Sequence, residues 1–217
     1  MSELYQIYYD IDQLQHLYPF AKPYFNEQLT VFFESSVIRE LVPRSTAKSI
    51  GVCSWRLKEK QRYYIGRPRP ITEEVINGDY EVLSFTKNTK YHKMLANASL
   101  NHKHFQPTFD NIIRSIGVNC PGEIKNPIYQ NHFCARSDIY KRYVQRYLAP
   151  AMDLIINDKE INAMAMQDSN YSKLTNQSSE HLKEKIGINY YPMVPFLLER
   201  LFSVFCQNEK IKVTYND

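Results

Sequence analysis

Apolar positions along this chain alternate between short continuous runs and longer runs spaced by three and four residues. Leu4-Tyr-Gln-Ile-Tyr-Tyr9 is a short run closed by the polar Asp10-Ile-Asp12, which predicts a first strand. A helical stretch is expected over 13–20. Glu34-Ser-Ser precedes Val37, Ile38, Leu41 and Val42 at helical spacing, predicting a capped helix that stops near Pro43. Ser49-Ile-Gly-Val-Cys-Ser-Trp55 has the unbroken apolar character of a strand covered on both faces. The basic stretch 56–69 is expected as an exposed loop or short helix. Thr72 is placed to cap a helix ending at Asn77-Gly78, and 80–85 forms a third strand.

Further along, 91–116 is helical but broken around 101–107, and 127–133 reads as a fourth strand. Ser137 is expected to cap a long helix that carries Ile139, Tyr140, Tyr143, Val144, Tyr147 and Leu148 on one face. Pro150 bends or restarts it. The polar stretch 162–179 is expected as a surface loop or flap, and 210–215 as an edge strand with lysines outward. Strands and helices take turns throughout. The expected fold class is therefore α/β, a single-domain sandwich over 1–217 around a central, mostly parallel sheet.

The last helix carries the most unusual pattern. Pro195 suits its start, and Leu197, Leu201, Val204 and Phe205 mark a buried face. Glu199 and Arg200 interrupt an otherwise apolar segment, where charged groups either pair or line a cleft. A structural ion pair and a polar pair on a pocket wall are both open readings. They differ in whether the pair faces the strand ends at Trp55, Thr86 and Asn131.

Composition narrows the class. No run approaches the roughly 18 apolar residues of a membrane span, and the first residues lack the features of a signal peptide, so the expected address is the cytoplasm. Cys53, Cys120, Cys134 and Cys206 are too scattered for zinc, and three sit in apolar patterns suited to reduced, buried thiols. No glycine-rich phosphate loop and no serine-nucleophile elbow occurs, which argues against dinucleotide, P-loop and hydrolase chemistry. The net charge of +4 permits an anionic partner such as a nucleotide diphosphate, but it is too weak for a dedicated nucleic-acid surface. Seventeen tyrosines offer flat faces for stacking on sugars or bases, besides filling half-buried positions.

Ligands of open α/β sheets sit beyond the carboxyl ends of strands. There the sequence places Asp10 and Asp12, Trp55 and Arg56, Thr86, Lys87 and Asn88, and Asn131 and His132. In Asp10-Ile-Asp12, capping by Asp12 outweighs metal binding, and no residue is assigned to a metal. His102 and His104 are expected as solvated loop histidines and Asp168 as a surface residue. His132 is the histidine placed for hydrogen bonding or proton transfer.

The order of four segments resembles a glycosyltransferase-like family of bacterial capsule and surface-polysaccharide loci, which looks like a compact type A glycosyltransferase. Ile50-Gly-Val-Cys-Ser-Trp-Arg56 lies where the family carries Gly-(Leu/Val)-Cys-His-Tyr-Arg-Arg, so Ser54-Trp55 replaces a His-Tyr pair and one arginine is retained. Gly78-Asp-Tyr-Glu-Val-Leu-Ser84, Asn131-His-Phe-Cys-Ala-Arg-Ser-Asp-Ile-Tyr140 and Phe196-Leu-Leu-Glu-Arg-Leu-Phe202 match the others, from about 48 to 206. The resemblance implies transfer of a sugar from a nucleotide-diphosphate donor to a glycan or lipid-linked acceptor, without nucleic acid or an integral membrane segment. Tyr8 and Trp55 would stack on donor or acceptor. Arg56, Lys87 and Arg200 would neutralise the diphosphate, with Asp10, Thr86 and Asn131 also touching substrate. Glu199 or His132 would act as base or orient the acceptor. The cofactor is undetermined; manganese or magnesium is the metal that would accompany such a donor. The altered Ser54-Trp55 signature motivates an alternative, a non-catalytic carbohydrate- or nucleotide-binding protein of the same fold.

Overall fold

A computed structural model describes residues 1–61, 69–85, 93–175 and 178–216. Six strands form one sheet: β1 (Glu3–Tyr8), β2 (Lys22–Phe25), β3 (Ser49–Ser54), β4 (Val82–Ser84), β5 (Phe133–Arg136) and β6 (Val213–Tyr215), in the order β2-β1-β3-β5-β4-β6. β1 pairs in parallel with both β2 and β3, and β4 in parallel with β6. β5 runs antiparallel to β3 and β4, so five strands point one way and one is reversed. The sheet is mixed but mostly parallel.

All six residues of β3 are buried, as its unbroken apolar run predicts. Successive side chains go to opposite faces. Ile7, Ile50, Val52, Val82, Phe133 and Ala135 join the larger core, and Leu4, Cys53, Leu83 and Cys134 the smaller one. A side chain on Gly51 would come within 2.5 Å of Cys134 Sγ, so close packing of β3 against β5 explains this glycine. All four cysteines are free thiols, three of them buried.

The larger core lies under α1 (Glu34–Arg44), α4 (Met94–Asn101), α5 (Phe105–Ser115), α6 (Ser137–Tyr143), α7 (Ala149–Asn157), α8 (Lys159–Ala165) and α11 (Val194–Asn208). The other face is covered more thinly, by α2 (Leu57–Gln61) and α3 (Glu73–Ile76). Two short helices, α9 (Tyr171–Thr175) and α10 (Glu180–Ile186), precede α11. Between α6 and α7 the chain makes a π turn, Val144–Leu148, just ahead of Pro150, which accommodates the missing N–H without ending the run.

Several expectations shift. The strand expected over 127–133 begins only at Phe133, because Gln130 has φ +59°, which no strand accepts. The helix expected over 13–20 is a 3₁₀ helix, Ile11–His16, with no buried residue to hold an α-helix in place. β2 is a four-residue edge strand containing Pro23, too short and too proline-marked to read from pattern. The break over 101–107 narrows to 102–104, since Pro107 fits the first turn of α5. Ser137 does not cap; its Oγ donates to the Ala47 carbonyl at 2.5 Å. The stretch 162–179 is partly helical, as α8 and α9. Of the basic stretch, 62–68 lies outside the described residues.

Thr72 does cap α3: its Oγ1 accepts the Val75 N–H at 3.2 Å. Thr72→Ala is expected to cost about 1 kcal/mol of stability, read from urea unfolding midpoints. An unchanged midpoint would show that α3 needs no cap.

Candidate functional site

The chain leaves β1 to form β2 on one side and returns to form β3 on the other. The strand order therefore reverses at β1, and a crevice opens between the carboxyl ends of β1 and β3, the usual ligand position in an open sheet. It is a cleft of about 1090 Å³. Tyr9 and Asp10 after β1 line it, as do Ser54, Trp55 and Arg56 at the end of β3. Because β5 is reversed, the residues leading into it, Tyr129 and Gln130, reach the same edge. The first turn of α1 adds Phe33 and Glu34, and α11 adds Pro195, Phe196, Glu199 and Arg200. The outer wall comes from α9 and α10, with Tyr171, Leu174, His181 and Lys185, together with Tyr191.

Charge is abundant here, and both arginines are paired. Arg56 grips Glu59 through both carboxylate oxygens, at 2.9 and 2.6 Å. That bond raises the Arg56 pKa and, from the other side, lowers that of Glu59. Glu199 Oε1 accepts the Gln130 backbone N–H at 2.8 Å and lies 3.7 Å from Arg200 Nη1. Arg200 is only 6% exposed; it donates to the Phe196 carbonyl at 2.7 Å and sits 5.4 Å from the centre of the Phe105 ring. Its Nε lacks a hydrogen-bond partner.

Lys60 and Glu34 differ. Among the described residues neither has an oppositely charged partner within 4.0 Å. Burial lowers the Lys60 pKa, against the pull of Glu34 and Glu199. For Glu34 burial raises it, the nearby Lys60 opposes the rise and Glu199 adds to it. Two residues on the cleft wall hold strained backbone, Phe33 at φ +48° and Gln130 at φ +59°. Such conformations cost about 1–3 kcal/mol each and concentrate at functional sites.

Five of the sequence candidates meet in this cleft: Asp10, Trp55, Arg56, Glu199 and Arg200. The Trp55 ring packs against His16 at 5.4 Å and lies 5.8 Å from the Arg56 guanidinium. Asp10 rather than Asp12 does the capping, its Oδ1 accepting the Asp12 N–H at 3.3 Å. Tyr8 is absent from the lining; its ring packs on Phe25 at 5.2 Å, and by strand alternation Tyr9 faces the cleft instead. Asn131 is half-buried outside the lining. His132 is 1% exposed beneath the sheet edge, with Nδ1 lacking a partner, so it cannot reach substrate in this conformation. Thr86, Lys87 and Asn88 lie outside the described residues.

Sequence reasoning missed Glu34, Lys60, Tyr9, Gln130 and the aromatic pair Tyr171 and Tyr191, whose rings meet edge-on at 5.1 Å. Lys60 was accessible in principle: with Arg56 and Glu59 it falls at the spacing of one helical face. His102 is a correction. It is 5% exposed, packs on Phe196 at 4.3 Å and its Nδ1 lies 2.8 Å from the Ser169 carbonyl oxygen. Asp168 stays a structural residue whose Oδ1 accepts the Asn170 N–H at 2.9 Å.

No family model, curated protein or solved structure matches this chain. The cleft itself combines half-buried rings, arginines paired with carboxylates, and the lysine and glutamate Lys60 and Glu34, which have no ion pair among the described residues. Such a lining suits a ligand that is anionic at one end and polyhydroxylated at the other. Among the described residues no helix is long and apolar enough to cross a membrane, and no group of three metal-ligating side chains is present.

Proposed function

We propose that this chain is a glycosyltransferase that moves a sugar from a nucleotide-diphosphate donor to a glycan or lipid-linked acceptor. The observation that carries the reading is the cleft at the point where strand order reverses, lined by Trp55, Arg56, Lys60 and Arg200 together with Glu34 and Glu199. A mostly parallel sheet with its cleft at the strand ends is the architecture that the resemblance to type A enzymes implies. Trp55 offers a ring face for the base or a sugar. Lys60, which has no ion-pair partner among the described residues, meets the diphosphate as a point charge, and Arg56 is oriented beside it by Glu59. Arg200 is too well enclosed to swing outward and acts as fixed positive charge in the wall.

The test is a panel of UDP-, GDP-, CMP- and dTDP-sugars, each with and without manganese, read by thermal unfolding. One nucleotide class is expected to stabilise the protein saturably, by about 2.7 kcal/mol at a hundredfold excess over Kd. Lys60→Met is expected to weaken that donor roughly tenfold or more, since a charge-assisted contact to phosphate contributes about 1.5–3 kcal/mol. A panel with no shift at all would remove the reading. Binding without any donor turnover would select the non-catalytic alternative.

A further inference from the structure

Four carboxylates line the cleft, and two of them, Glu199 and Glu34, differ in character. Glu199 is tied: one oxygen accepts the Gln130 N–H, and its charge is matched by Arg200. Glu34 projects into the same space from the first turn of α1 with no cation within 4.0 Å among the described residues. Its immediate electrostatic neighbours come from three other elements. Tyr9 after β1 brings a buried hydroxyl, Lys60 belongs to α2 and Glu199 to α11. Phe33, immediately before it, is held at φ +48°, and its ring stacks on Tyr191 at 6.1 Å. The strained turn thus fixes where Glu34 enters the cleft.

We infer that Glu34 is the catalytic base, taking the proton from the acceptor hydroxyl as it attacks the donor, and that transfer inverts the anomeric centre. This rests on the glycosyltransferase reading and deepens it. In the step, the acceptor O–H bond breaks and its proton passes to a Glu34 oxygen. The acceptor oxygen bonds to the anomeric carbon from the face opposite the leaving group. The bond from that carbon to the diphosphate breaks, and the electron pair leaves on the diphosphate oxygen beside Lys60. Burial in the wall keeps Glu34 more basic than an exposed carboxylate, which suits proton abstraction near neutral pH. Water replaces the acceptor in slow donor hydrolysis, so the same geometry governs that reaction.

The experiment uses the full chain and whichever α-linked nucleotide sugar stabilises it best. Glu34→Gln is expected to bind that donor within about threefold of wild type, yet to hydrolyse it at least about 100-fold more slowly. Glu34→Asp, which keeps a carboxylate, recovers part of the rate. In wild type, proton NMR during hydrolysis should show the β sugar appearing first. Should Glu34→Gln not fold, the NMR measurement still decides the stereochemistry. A Glu34→Gln protein that turns over at the wild-type rate, or an α sugar formed first, overturns the assignment while leaving the transferase reading intact. If no nucleotide sugar stabilises wild type, that reading falls and the assignment falls with it.

Discussion

Glu199→Ala is expected to destabilise the fold by about 3–5 kcal/mol, far more than removal of an exposed glutamate ordinarily costs. The reason is what remains behind. Arg200 stays 6% exposed, held by the Phe196 carbonyl and the Phe105 ring, with Nε already lacking a partner. Without Glu199 its charge has no opposing group within 4.0 Å among the described residues. The Gln130 N–H loses its 2.8 Å acceptor as well, at a residue whose φ of +59° needs holding. Urea unfolding measures the loss. Glu199→Gln keeps an acceptor for Gln130 but not the charge, so it should fall between wild type and Glu199→Ala. A double variant, Glu199→Ala with Arg200→Leu, removes the stranded charge and should be more stable than Glu199→Ala alone. If Glu199→Ala lies within about 0.5 kcal/mol of wild type, the pair contributes nothing to the wall.

The same pair shows what pattern can and cannot reveal. An ion pair inside an apolar helix is a strong local signal, and α11 begins where Pro195 suggests. The strands β1 and β3 are equally legible, because both sit inside the sheet and carry apolar or aromatic residues at both sets of alternate positions. That property also hides the parity of β1. When both faces are covered, apolar residues occupy both sets of alternate positions, so nothing local says whether Tyr8 or Tyr9 meets the cleft. The reversal of β5 is not local either. It follows from how the chain returns between β3 and β4, and it moves Gln130 to the cleft edge while His132 sinks beneath it. Glu34 is 165 positions from Glu199 in the chain and reaches it only because α1 and α11 pack on one core. Reading Glu34-Ser-Ser as a cap placed the start of the helix, but the N-cap position is Phe33 with no side-chain capping bond, and the reading was silent about the cleft.

His132 leads to the second large effect, a steep loss of stability in mild acid. The ring is 1% exposed, Nδ1 lacks a partner, and burial, with Lys60 and Arg56 nearby, holds its pKa well below the ordinary 6.5. A base depressed in the folded state contributes stability that is fully present above its unfolded pKa and is lost as pH falls toward its folded value. Below about pH 6.5 the unfolded chain takes up a proton that the folded chain refuses, so stability falls by about 1.4 kcal/mol per pH unit from this residue alone. His102 adds to the slope: burial lowers its pKa too, although the Ser169 carbonyl opposes the shift. Glu34 acts in the opposite sense. Its raised folded pKa contributes stability below the ordinary 4.5 that is lost as pH rises through the folded value, so it partly offsets the histidines in acid. Unfolding free energies measured between about pH 7 and pH 5 should show the decline in wild type. In His132→Gln the slope should be shallower by about one proton, whatever its absolute stability. A His132→Gln slope equal to wild type would mean that this ring already carries its proton in the folded protein. A charge so deep beneath the sheet edge would need a carboxylate beside it, and among the described residues none lies within 4.0 Å.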